Sequence, residues 1–167
     1  IGGLIKKESI ILESLIHGGK STTVFRSGTP ATALIVSLAK AMRLAYENYE
    51  EKRTKVEDLN KYLISKLNDL DINSNDKCVP HIVNLSLRNI KSETMLHALE
   101  KDNIYISTQT ACSQGNYSLA VYSVTNDKEK AGRSIRISLS HLTNLDELNK
   151  FIETLKINLE KLNILDK

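Results

Sequence analysis

A thiol set in a run of small polar residues is the first place where this sequence could do chemistry. Cys112 stands in Thr108-Gln109-Thr110-Ala111-Cys112-Ser113-Gln114-Gly115-Asn116. That composition predicts a surface loop, whereas an inert cysteine is normally buried among apolar neighbours. A displayed cysteine is available as a nucleophile. The plainer alternative is an incidental surface thiol, since no charged neighbour in sequence favours the thiolate. The second candidate is Arg136, in Ser134-Ile135-Arg136-Ile137-Ser138-Leu139. Ile135, Ile137 and Leu139 alternate onto one face of a strand, which turns Arg136 to the other. A guanidinium there can grip a carboxylate in two places at once, or form an ordinary surface ion pair. The third candidate joins His17-Gly18-Gly19 to Arg26-Ser27-Gly28-Thr29. Glycines let backbone amides approach an anion, and a helix beginning at Thr29 would add partial positive charge. The same residues also read as a glycine turn with a capping threonine.

These residues need elements to hold them. Residues 31–79 contain neither Gly nor Pro, and apolar residues recur at Leu34, Leu38, Met42, Ala45 and Tyr49, then at Val56, Leu59, Leu63, Leu67 and Leu70. That spacing predicts one long helix, bent near residues 48–54, with Thr29 as its cap and Pro30 in its first turn. A helix of about 40 residues extends roughly 60 Å, long enough to bridge two bodies. Strands are predicted over residues 81–87, 104–107 and 134–139, and a helix capped by Ser92 over residues 92–101. A final amphipathic helix spans residues 143–162, capped by Thr143 with Asp146 three residues on and carrying Leu148, Phe151, Ile152, Leu155, Leu159 and Leu162 on its apolar face. The expected architecture is α/β, a small sheet with helices mainly on one face behind a long N-terminal bridging helix. Five of the seven glycines fall at Gly2, Gly3, Gly18, Gly19 and Gly28. This sets residues 1–30 apart from a domain over residues 31–167.

Composition narrows the function classes. The 23 Lys and Arg against 20 Asp and Glu, a net charge of +3, are scattered, so no basic stripe offers itself to nucleic acid. The longest apolar runs fall far short of the roughly 20 residues that a membrane helix needs. Two cysteines, Cys78 and Cys112, are fewer than a disulfide scaffold carries, which points to a reducing cytoplasm. His17, His81, His97 and His141 show no ligand spacing with either cysteine, so no metal site is expected. The first residues have neither an initiating Met nor a signal-peptide layout, and the expectation is a chain that begins inside a longer protein.

Taken in order, Gly-Gly-Leu at residues 2–4, His-Gly-Gly at 17–19, Arg-Ser-Gly-Thr at 26–29, Pro-His-Ile-Val-Asn at 80–84, Ala-Cys-Ser at 111–113 and Ser-Ile-Arg-Ile-Ser-Leu at 134–139 resemble the cysteine desulfurases of the class V aminotransferase family. The likeness runs from Ile1 into the last helix and implies the small domain of a fold type I enzyme dependent on pyridoxal phosphate, preceded in residues 1–30 by the end of the cofactor-binding domain. It implies that Thr29 reaches the cofactor phosphate of the partner subunit in a homodimer and that Arg136 holds the substrate carboxylate. It implies further that Cys112 takes the sulfur of L-cysteine as a persulfide, releasing alanine and passing sulfur to an acceptor protein for iron-sulfur clusters or thio-modification. The family's cofactor lysine would lie upstream of Ile1, so this chain alone is expected to bind no cofactor and to be inactive. Two rivals stand beside this: another class V lyase acting on selenocysteine or cysteine, and a non-catalytic interaction module.

Overall fold

The computed structural model describes residues 1–19, 23–108 and 117–165, with nine elements among them. Two compact units divide the chain, Ile1–Tyr49 and Glu50–Lys167. In the first, the described residues before Thr32 form no helix or strand, and α1 (Thr32–Tyr46) buries none of its residues. The expected long helix is in fact two, because Glu47 turns to an extended ψ of 123° and Asn48 takes a φ of +54° before α2 (Tyr49–Lys66) begins. Asparagine is among the few side chains that accept the left-handed region readily, so the break comes at the start of the stretch where only a bend was expected. The start of α1 also differs from expectation. Ala31 is the N-cap and no side chain caps the helix, so Thr29 stands outside it, exposed.

The second unit is built on a three-stranded antiparallel sheet, ordered β1 (Asp71–Ile72), β2 (Ile82–Ser86), β3 (Ser134–Ser138). Val83 pairs with Ile137 and Leu85 with Ile135, while Asn84 pairs with Arg136 and Ser86 with Ser134. Alternation therefore sorts β2 and β3 into an apolar and a polar face. The apolar face joins Val56, Leu59 and Leu63 of α2, Met95 and Leu99 of α3 (Ser92–Glu100), and Leu148, Phe151 and Leu155 of the long C-terminal helix in one core. Leu63 is completely excluded from solvent. Leu63→Ala is expected to reduce the unfolding free energy by about 2–5 kcal/mol through lost burial and the cavity left behind. Urea denaturation followed by circular dichroism checks this, and an unmoved midpoint would mean that the core does not close around Leu63.

Two short helices, α4 (Leu119–Thr125) and α5 (Lys128–Gly132), precede β3. The Ser118 hydroxyl caps α4 by accepting from Val121 N, Asn126 ends it in the left-handed region, and Asp127 caps α5 by accepting from Lys130 N at 3.0 Å. The Lys130 ammonium closes an ion pair with Asp71 at 2.8 Å, tying α5 to the edge strand β1. Residues 104–107, expected as a strand, contribute only an isolated antiparallel bridge from Ser107 to Arg136. Ser92 is the first residue of α3 and not its cap; its hydroxyl donates instead to Gly132 O at 3.1 Å. The last helix, α6 (Leu145–Leu165), carries a capping box one residue later than expected. Glu147 N donates to Asn144 Oδ1 at 2.9 Å and Asn144 N to Glu147 Oε2 at 3.0 Å, while Thr143 Oγ1 accepts from Ser140 N. Asparagine is at least as strong a cap as threonine, and glutamate reaches back to the cap amide where the shorter aspartate does not.

Candidate functional site

Arg136 is centred on the polar face of the sheet, half-buried, with Asn84 as its cross-strand partner. On its other side the backbone of Ser107 pairs with it twice, Arg136 N donating to Ser107 O at 2.6 Å and Ser107 N to Arg136 O at 3.1 Å. The Arg136 Nη2 donates to Ser107 Oγ at 3.2 Å. Its Nε is buried and has no hydrogen-bond partner among the described residues. A donor left in that state costs about 1–3 kcal/mol, more in a charged group, so the side chain is held in a pose that an added acceptor would stabilise.

Arg136 lines a cavity of about 400 Å³ together with Asn73, Asn84, Thr108, Ser118 and Val121. Asn73 donates through Nδ2 to Asn84 Oδ1 at 2.7 Å and to Ser86 Oγ at 2.8 Å, and its own Oδ1 is buried without a partner among the described residues. One wall of the cavity thus carries an amide network and a guanidinium, and α4 supplies Ala120, Val121 and Val124 as an apolar wall. The arrangement suits a small ligand with an anionic end and a short apolar body. Cys78, an exposed free thiol, also borders this cavity, with Sγ 3.5 Å from Asn75 Oδ1. Ser107, Asn73 and Asn84 were not singled out by the sequence as site residues. Alternation along residues 82–86 places Asn84 on the face of Arg136, whereas no local pattern announces a contact from Ser107 or Asn73, which come from other segments.

Thr29 belongs to the first compact unit, near the two glycines that flank Ser27 in space and in sequence. Gly18 and Gly28 adopt φ of +148° and +107°. A Cβ on Gly18 would come within 3.2 Å of Ser27 Cβ, and Ser27 N donates to Ile16 O at 3.2 Å, so the His17-Gly18 and Ser27-Gly28 stretches meet through a contact that only glycine permits. Arg26 and Thr29 are both exposed beside it. The structure thus places Thr29 in one unit and Arg136 in the other, and Cys112 lies outside the described residues.

The sequence model of the family "Aminotransferase class-V" matches residues 2–151. The chain belongs to the class-V aminotransferase family. Among curated class-V relatives, a NifS/IcsS protein homolog of Lactobacillus delbrueckii subsp. bulgaricus is 34% identical over 160 residues, covering 91% of this chain and 41% of the relative. The cysteine desulfurase IscS of Clostridium botulinum is 31% identical over 164 residues, covering 93% and 41%. Among solved structures, a NifS-like protein superposes with a TM-score of 0.76 at 27% identity, over 95% of this chain and 41% of its own. A NifS-like protein from Rickettsia africae superposes with a TM-score of 0.74 at 25% identity, over 91% and 41%. The chain therefore spans about two fifths of the length of the class-V relatives it matches. The mixed α/β fold expected from the sequence, with its small sheet, is the fold of these neighbours. Among the described residues no helix is long and apolar enough to cross a membrane.

Proposed function

We propose that this chain is the C-terminal part of a cytoplasmic, homodimeric cysteine desulfurase dependent on pyridoxal phosphate, with residues 1–30 ending the cofactor-binding domain and residues 31–167 forming the small domain. The observation that carries the reading is Arg136: an arginine on the polar face of β3, lining a cavity of about 400 Å³, with a buried Nε that has no acceptor among the described residues. Relatives named as cysteine desulfurases supply the substrate, L-cysteine. Its carboxylate fills the acceptor position at Arg136, and its short side chain suits the apolar wall of α4.

The residues present fit one edge of the cofactor. Gly18 and Gly28 hold conformations reserved for glycine, and the exposed Thr29 hydroxyl and Arg26 guanidinium beside them suit a phosphate. In this reading Thr29 serves the cofactor of the partner subunit, and the lysine that carries the cofactor comes from outside residues 1–167. When bound, pyridoxal phosphate supplies an electron sink at the substrate's α-carbon. The Cys112 thiolate attacks the substrate sulfur, and the new S–S bond makes a persulfide on Cys112. As the substrate C–S bond breaks, its electron pair stays on carbon, and protonation there gives the methyl group of alanine. Arg136 keeps the substrate oriented throughout, and an acceptor protein then takes the terminal sulfur for iron-sulfur clusters or thio-modification.

The test is product analysis with the intact enzyme that contains this chain. L-cysteine is expected to yield alanine and a protein-bound persulfide in equal amounts on the first turnover, and the 167-residue chain alone to yield neither. Pyruvate and ammonia in place of alanine would make it a C–S lyase and overturn the desulfurase reading.

A further inference from the structure

We infer that Ser107 is a positioning residue for substrate binding, holding the Arg136 guanidinium in one pose on the wall of the cavity that would take a carboxylate; this rests on Arg136 being the carboxylate-binding residue. An arginine side chain left to itself samples many rotamers, and fixing it costs up to about 2 kcal/mol of conformational entropy. Three hydrogen bonds join Ser107 to Arg136, two through the backbones and one from Nη2 to the serine hydroxyl at 3.2 Å. The backbone pair sets the two residues directly opposite each other, so the hydroxyl is in register with the fork it holds. Nη2 carries two hydrogens. Its bond to Ser107 leaves the second, beside the Nε–H that has no partner among the described residues. The guanidinium is thus fixed at one corner while a neighbouring donor stays unfilled, an arrangement that lowers the ordering cost of binding and not the energy of the unbound protein.

The position of Ser107 gives it no other evident task. It is half-buried, it is followed at once by Thr108 on the cavity wall, and its single bridge replaces what would otherwise be a full strand. A residue without a hydroxyl, such as alanine, would keep the backbone pairing but remove the acceptor for Nη2.

In the intact enzyme, Ser107→Ala is expected to raise the KM for L-cysteine about tenfold, the value of one hydrogen bond to a charged group, while kcat and cofactor absorbance change little. Ser107→Thr, which keeps the hydroxyl, is expected to restore most of the loss. A second readout needs no turnover: in the 167-residue chain the side-chain Nε–H resonance of Arg136 should be sharp, and Ser107→Ala should broaden it. An unchanged KM in Ser107→Ala beside a raised KM in Arg136→Ala overturns the role of Ser107 and leaves that of Arg136 intact. A raised KM that Ser107→Thr does not restore, with the Arg136 resonance unmoved, also overturns it by showing a merely structural effect. An unchanged KM in Arg136→Ala removes the premise itself.

Discussion

Cys112→Ser, introduced into the intact enzyme, is expected to keep the cofactor's absorbance and yet form no detectable persulfide from L-cysteine. A serine hydroxyl is barely ionised near neutral pH and is a poor nucleophile toward sulfur, whereas a cysteine supplies a useful fraction of thiolate. The control is Cys78→Ser. Cys78 is exposed, borders the Arg136 cavity and is the sole free thiol among the described residues, so it is the competitor that has to be excluded. Its Sγ rests against Asn75, and it stands two residues before Pro80 at the entrance to β2, where a serine of similar size can replace it. Full persulfide formation is expected in Cys78→Ser, measured by labelling the bound sulfur and by mass spectrometry of the protein. The reverse pattern, activity in Cys112→Ser and none in Cys78→Ser, would move the sulfur-accepting role to Cys78 and remove the main reason for reading residues 108–116 as a reactive segment.

Arg136→Ala is expected to lower kcat/KM for L-cysteine at least about 10- to 100-fold, because even one charge-assisted hydrogen bond to the substrate carboxylate contributes about 1.5–3 kcal/mol. The loss should fall mainly on KM, since the carboxylate is held equally before and during the reaction, and cofactor content should be unchanged. Arg136→Lys should recover only part of the loss: an ammonium offers a point charge but not two parallel donors. Stability should move little in either variant, because removing the guanidinium also removes the buried Nε that has no partner among the described residues. Unaltered kinetics in Arg136→Ala would take Arg136 out of the site and leave the cavity without a cation to receive a carboxylate.

Much of this was legible in the sequence, and the parts that were not share a cause. The faces of α2 and α6 followed from periodicity, since Val56, Leu59 and Leu63 and then Leu148, Phe151 and Leu155 are buried as their spacing requires. Alternation likewise gave the outward direction of Arg136 from β3 alone. What failed was set by neighbours or by single backbone angles. The left-handed turn at Asn48 cut the long helix, a choice that asparagine permits but does not compel. The two-residue β1 has no pattern of its own and depends on β2 and on the Lys130–Asp71 pair. The helices α4 and α5 are five to seven residues long, below the length at which a 3.6-residue period can be recognised, although Ser118 and Asp127 do mark their starts. Residues 104–107 looked like a strand because they are apolar and β-prone, but only Ser107 finds a ladder partner. The polar network around the cavity was invisible for the same reason, since Asn73, Asn84, Ser107 and Arg136 come from four separate segments.

The pairing of Asn84 with Arg136, one position away from Val83 with Ile137, also decides what kinds of genetic change this protein can survive. Point substitutions at the cavity wall alter one contact each. A single-codon deletion or insertion within β3 is a different event, because side chains alternate and every residue beyond the change would cross to the opposite face of the sheet. An isoleucine would then replace the guanidinium at the cavity while the arginine was driven into the core among Leu63, Leu85 and Leu155. The cavity wall and the hydrophobic packing are thus encoded on alternate letters of the same five residues, so that a one-residue change of length in that short strand disturbs more than a change of any one side chain in it.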